Sequence, residues 1–392
     1  MDVSLIRSLI HFTIVVLPVI LAGNLETKIE GECATYDPSN TLKCHIHALS
    51  EKIGPRNIGS EEHYQNLKRA AKYIKSELER MNVANESDSY TAKVKKSHMA
   101  DMLRKTAPGL DNLQGYEVEN IIVSIEGTDR TMPALVVGAH YDTYDESPGA
   151  DDNASGVAAL LEIARFTNLN PHQIKRTLKL VFFVNEERPY MEDLDSNAAG
   201  ENMGSLRFAR NASKNREKLY GMISLESIGY FTEDSKSQEF LKALGFRQKF
   251  PFKEKQTSRG DFVAFVGNFQ SRSFLKNCEA AFKRTATVTK SGVQATAKLG
   301  AAIAGIDTKV SHPEEFPLLT VTMAEMIAPD IGRSDHKSFW SEGYHAIMIT
   351  DTANFRNKHY HQVSDRIETI NFVKLNKLVE KLKQMVKSLV VR

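Results

Sequence analysis

Five short runs, Asn120 to Ile125, Ala134 to Gly138, Leu178 to Val184, Met222 to Leu225 and Ala346 to Thr350, constrain this chain most. Most are apolar without alternation, the pattern of strands covered on both faces. Helical periodicity separates them. From Ser60 to Met81 apolar residues recur at helical spacing behind a Ser-Glu-Glu start, and Val157 to Phe166 and Phe372 to Val391 also read as helices. Strands buried on both sides and alternating with helices predict an α/β fold, a three-layer αβα sandwich around a mostly parallel mixed sheet. With 392 residues, 41% of them apolar, the chain has enough material for a sizeable core.

The ends and the charge set the context. Arg7 precedes an almost uninterrupted apolar run from Leu9 to Ala22, which reads as a signal peptide or N-terminal anchor over residues 1–23. An exported protein is expected, secreted or periplasmic, with membrane association only if that segment stays uncleaved. Residues 24–44 read as a polar lead-in and 45–392 as the folded domain, elaborated at about 231–327. Lys and Arg number 51 against 49 Asp and Glu, so no global field favours nucleic acid. Cys33 and Cys44 are close enough to close a small loop if oxidised, which leaves Cys278 single. No Cys-x-x-Cys pair exists, so a bound metal would be held by His and carboxylates.

Polar residues collect where the apolar runs stop. His140-Tyr-Asp142 follows the second run, placing a candidate ligand where open α/β sheets bind theirs, with Asp142 able to accept the other imidazole N–H. Gly149 to Gly156 is a tight loop holding Asp151 and Asp152, either an ordinary helix cap or the seat of a carboxylate bridging two cations. Asn185-Glu186-Glu187 ends the third run, where one glutamate could hold metal and the other take a proton from water. Glu226 closes the fourth, and His359-Tyr-His361 with Asp365 follows the fifth. Each motif alone has a bland alternative as a cap, turn or exposed loop. Together, five potential ligands of the His, Asp and Glu kind, four of them just beyond predicted strands, form a combination that surface composition alone does not readily produce.

The ordered set resembles peptidase family M28, which includes secreted zinc aminopeptidases. The resemblance rests on His140-Tyr-Asp142, the loop Gly149 to Gly156, Asn185-Glu-Glu187, Leu225-Glu-Ser-Ile-Gly229, Ser334-Asp-His336 with Phe339, and His361 with Asp365, and it spans about Ile53 to the C-terminal helix. It implies two zinc ions, His140 and Glu226 on one, Glu187 and His361 on the other, with Asp152 between them. It further implies Glu186 as general base, a cis peptide after Asp152, and a peptide or protein substrate. Some members of the family carry Asp where this chain has Glu226. Asp335, His336 and Trp340 are expected to border the substrate cleft. Two other readings share the fold: a single-zinc glutaminyl cyclase and a non-catalytic binding ectodomain.

Overall fold

The computed structural model describes residues 40–92, 115–168, 174–187, 202–238, 259–284, 316–323 and 329–391. Residues 1–23, read above as a signal peptide or anchor, and Cys33 lie outside them. Eight strands, β1 (Glu86–Ala92), β2 (Tyr116–Ile125), β3 (Ala134–His140), β4 (Leu178–Phe183), β5 (Leu219–Glu226), β6 (Val263–Gly267), β7 (Leu318–Thr322) and β8 (Ala346–Thr350), form one sheet in the order β1-β2-β4-β3-β5-β8-β6-β7. The run β4-β3-β5-β8 is parallel, and β6 pairs parallel with β7. The pairs β1-β2, β2-β4 and β6-β8 are antiparallel. The sheet is mixed, with a parallel centre, as the uninterrupted apolar runs predict.

Alternate residues of each strand feed two separate cores. Leu135, Val137, Leu180, Phe182, Ile223 and Ile349 point to one face, where α1 (Thr41–His47), α2 (Glu61–Arg80), α3 (Gly156–Asn168) and the C-terminal α6 (Phe372–Val390) pack. Val136, Val181, Phe183, Met222 and Met348 point to the other, under α4 (Gly204–Lys214) and α5 (His336–Ser341). This is the three-layer sandwich. The helices begin where their caps dictate. Ser60 Oγ accepts the His63 N–H at 3.1 Å ahead of Glu61 and Glu62, and Asn371 accepts from Lys374 N at 3.1 Å.

Several boundaries differ from the sequence reading. The strand expected to stop at Gly138 runs on to His140, and that expected to stop at Leu225 includes Glu226, because parallel neighbours continue the ladder through the polar end residues. α1 already starts at Thr41, inside the segment read as lead-in. The described part of 231–327 supplies β6 and β7 to the same sheet. Cys44 is disulfide-bonded, and Cys278 is a buried free thiol. Among the described residues no helix is long and apolar enough to cross a membrane.

Candidate metal and catalytic site

The chain leaves β3 for β4 on one side and later returns to β5 on the other, so the C-terminal end of β3 lies at a reversal of strand order, where parallel sheets open a crevice. His140 ends β3 opposite Phe183, and Glu226 ends β5 opposite Thr350. Glu186 and Glu187 follow β4, and His361 comes from the loop after β8. Asp152 is brought in by the loop after β3, whose turn needs Gly149: its φ is +63°, and a Cβ there would lie 2.3 Å from the Asp152 carbonyl oxygen. The Asp152-Asn153 peptide is cis, as the family resemblance implied.

These side chains converge as three donor trios, His140/Asp152/Glu226, Asp152/Glu187/His361 and His140/Glu186/Glu187, each with its ligand atoms within 4.8 Å of one another. Asp152 belongs to the first two. Its Oδ1 stands 3.3 Å from His140 Nε2 and its Oδ2 3.2 Å from His361 Nε2. Glu226 Oε2 lies 3.2 Å from His140 Nε2, and Glu187 Oε1 3.0 Å from His361 Nε2. Yet His140 Nε2, both Asp152 oxygens, His361 Nε2 and Glu186 Oε1 are buried without a hydrogen-bond partner. Native proteins rarely bury so many unsatisfied polar atoms in one place. Two imidazoles and three carboxylates aimed at common points suit zinc, which takes nitrogen and oxygen donors at tetrahedral sites.

The surrounding groups aim the donors. The Asp142 carboxylate accepts the backbone N–H of Glu186 at 3.2 Å and of Glu187 at 3.0 Å, and its backbone carbonyl lies 3.3 Å from His140 Nδ1. One residue therefore orients three candidate residues. Glu226 accepts Ser227 Oγ at 3.0 Å on one oxygen and Ser334 Oγ at 2.8 Å on the other. His361 lies between two tyrosines, with Tyr144 stacked at 4.0 Å and Tyr360 at 3.8 Å between ring centroids. Beneath the loops, the fully buried Arg56 guanidinium donates to the carbonyls of Tyr141, Leu49, Gly54, Pro148 and Gly149.

Burial and crowding shift the acids. Burial, then the charge of Asp152, raises the Glu187 carboxyl to about 8, and burial raises Asp335 to about 7. Glu186 is held well above the carboxylate range by burial, with His140 opposing and Glu187 and Glu226 adding to the rise. Burial would lower His361, but Glu187 and Asp152 outweigh it and lift the imidazole to about 10. Carboxylates this close favour uptake of positive charge, as protons or as a metal.

The structure does not place all expected substrate contacts on an open surface. His336 is fully buried, with Nε2 on the Ile331 carbonyl at 2.6 Å and its ring edge-on to Trp340. Trp340 donates Nε1 to the Ala346 carbonyl at 2.9 Å and belongs to the second core. Both pack α5 onto the sheet, because an indole or imidazole next to an apolar strand gains more from burial and one satisfied N–H than from solvent. Asp335 is likewise fully buried. An open pocket lies beside Glu226 instead, and its lining includes Arg333, Met348, Thr350, Phe355 and Tyr360. Sequence reasoning missed Tyr144, Tyr360 and Arg333. Their only signal was adjacency to motif residues.

Fold and donor set define an α/β sandwich with a buried histidine and carboxylate centre at the ends of its parallel strands. Residues 120–268 match the family model described as Peptidase family M28. The match takes in His140, Asp152, Glu186, Glu187 and Glu226, and stops short of His361. The chain is 29% identical over 349 residues to the uncharacterized protein YfbL of Escherichia coli (strain K12), covering 86% of this chain and 84% of that one. Among solved structures, BSAP, a zinc aminopeptidase from Bacillus subtilis, superposes with a TM-score of 0.56 at 15% identity, covering 90% of this chain and 95% of that one. Porphyromonas gingivalis glutaminyl cyclase superposes with a TM-score of 0.54 at 18% identity, covering 90% and 97%. At these identities the likeness is one of fold, and it is shared by hydrolase and cyclase.

Proposed function

We propose that this chain is a zinc-dependent exopeptidase, and within that class an aminopeptidase. The observation that carries the reading is the pair of donor trios sharing Asp152, with the unpartnered Glu186 carboxylate oxygen beside them. His140, Asp152 and Glu226 would hold one zinc, and Asp152, Glu187 and His361 the other. When bound, zinc supplies Lewis acidity that polarises the scissile carbonyl and lowers the pKa of water.

The remaining steps fall to the protein's own groups. Glu186, 3.9 Å from His140 Nε2 and fixed through its backbone N–H on Asp142, accepts a proton from the attacking water and returns it to the leaving amine. Burial suits it to that task by raising its affinity for the proton. The pocket beside Glu226 receives a substrate side chain against Met348, Phe355 and Tyr360. A glutaminyl cyclase working with one zinc would leave the second trio without a use, and the complete set favours hydrolysis.

The test is hydrolysis of matched unblocked and N-acetylated peptides, with zinc present and after chelation. Metal-dependent cleavage of the unblocked set alone is expected. Cleavage of both sets would replace the aminopeptidase assignment with a carboxypeptidase or broader peptidase. A protein holding two zincs that cleaves neither set would remove the peptidase reading.

A further inference from the structure

Asp365 lies four residues after His361 and is fully buried. Its Oδ1 accepts the Asp151 N–H and its Oδ2 the Asp152 N–H, both at 3.0 Å, while its own carbonyl accepts from Ala150 N at 3.1 Å. Three hydrogen bonds thus fasten the His361 loop directly to the backbone that carries Asp152. A carboxylate that accepts two successive backbone N–H groups fixes both the position and the tilt of that peptide segment. The loop has another tether on its opposite side. Asn153 donates Nδ2 to the Leu225 carbonyl at 2.8 Å and accepts the Ser227 N–H at 3.2 Å, bracketing Glu226. Asp152 is consequently tied to the Glu226 strand by Asn153 and to the His361 loop by Asp365.

We infer that Asp365 is a positioning residue that sets the spacing between Asp152 and His361, and so governs metal binding at the Asp152/Glu187/His361 trio selectively. The inference rests on the metal-centre reading above. Weakening Asp365 disturbs two of the three donors of that trio. In the other trio it reaches only Asp152, which Asn153 still holds against β5. The fold does not depend on this latch alone, since Asp151 Oδ1 accepts from Gly229 N at 2.7 Å and its Oδ2 from Asn357 Nδ2 at 2.8 Å. Asp365→Asn replaces one acceptor oxygen with an amide that cannot accept either N–H. Groups that orient metal ligands typically affect affinity by roughly 10–100-fold, and a loss in that range is expected at this trio.

The experiment is a zinc titration of the full chain and of Asp365→Asn, with anomalous scattering from crystals of each to locate the bound zinc. The expected result is zinc at both trios in the unaltered chain, and in the variant a loss of the peak at Asp152/Glu187/His361 with the peak at His140/Asp152/Glu226 kept. Zinc supplied at about 100-fold higher concentration should restore the missing peak, which a misfolded protein would not allow. If Asp365→Asn does not fold, Asp365→Glu carries the same expectation, because it keeps the charge but displaces the carboxylate. Equal occupancy of both trios in the variant, or parallel loss from both, would overturn the latch while leaving the two-metal reading intact. An unaltered chain with no zinc at Asp152/Glu187/His361 would overturn both.

Discussion

At the scale of single residues, Glu186 differs from the five donors because its chemistry should be separable from theirs. Its backbone is pinned by Asp142, and one carboxylate oxygen is left without a partner. Glu186→Gln keeps the size and removes the basic oxygen, so the zinc content should stay at that of the unaltered chain while kcat falls by about 10²–10⁴-fold, the range typical of a lost general base. Metal analysis beside steady-state kinetics checks this, and a metal-loaded Glu186→Gln chain with undiminished kcat would transfer the role elsewhere. The grouping of the candidate donors was legible in the sequence, since most of them end or follow a buried apolar run, where a charged residue needs a reason to be there. Of the groups that aim them, only Asp142 was legible. Ser334 on Glu226, the tyrosines flanking His361 and Arg56 under the loops act across separations that no local pattern encodes. The same blindness put His336 and Trp340 on a cleft, because a polar edge on an aromatic looks the same in sequence whether it meets substrate or a core carbonyl.

Among the elements, the sheet order could not be read from the chain, though the class could. Apolar runs without alternation identify strands covered on both sides, but β6 and β7 pairing at the far edge depends on contacts between distant segments. α1 was missed for a related reason. Its seven residues are too few for periodicity to emerge, and it is held by packing against its neighbours. That packing contains a titratable group. His45 is fully buried, with Nδ1 2.7 Å from the Tyr73 hydroxyl of α2, and burial lowers its pKa from 6.5 to about 4 against the opposing pull of Glu77. The unfolded chain binds this proton at higher pH than the folded one. The folded state therefore loses stability as pH falls from about 6.5 towards about 4, by an amount on the order of 3 kcal/mol, and the full loss is present below that range. His45→Asn retains a hydrogen-bonding side chain that does not titrate there. Urea denaturation at pH 7 and pH 4.5 should show a smaller acid-induced loss in this variant, and an unchanged loss would place the acid sensitivity in other groups.

For the molecule as a whole, a formal charge of +2 conceals a local imbalance. Asp142, Asp152, Glu186, Glu187, Glu226 and Asp335 are all buried around one centre, accompanied by His140 and His361. Removing carboxylates from water costs folding free energy, and crowding them adds repulsion. The fold maintains this arrangement through the parallel sheet, whose strand ends fix where the acids emerge, so the centre is held at the expense of the stability of the unliganded chain. A cation that binds the native centre and not the unfolded chain offsets that cost by mass action, with about 2.7 kcal/mol gained at a free concentration 100-fold above its Kd. Zinc should raise the Tm by several degrees over the chelated protein, and magnesium, which is bound weakly by imidazole, should raise it less. The increment should shrink in Asp365→Asn, which loses the latch on one trio, and persist in Glu186→Gln, which loses none of the five donors. Thermal melts of the three proteins with zinc and with chelator decide the matter: equal melting temperatures in the unaltered chain under saturating zinc and under chelation would mean that the acids are stabilised by protons or by one another, and the centre would lose its role as a metal site.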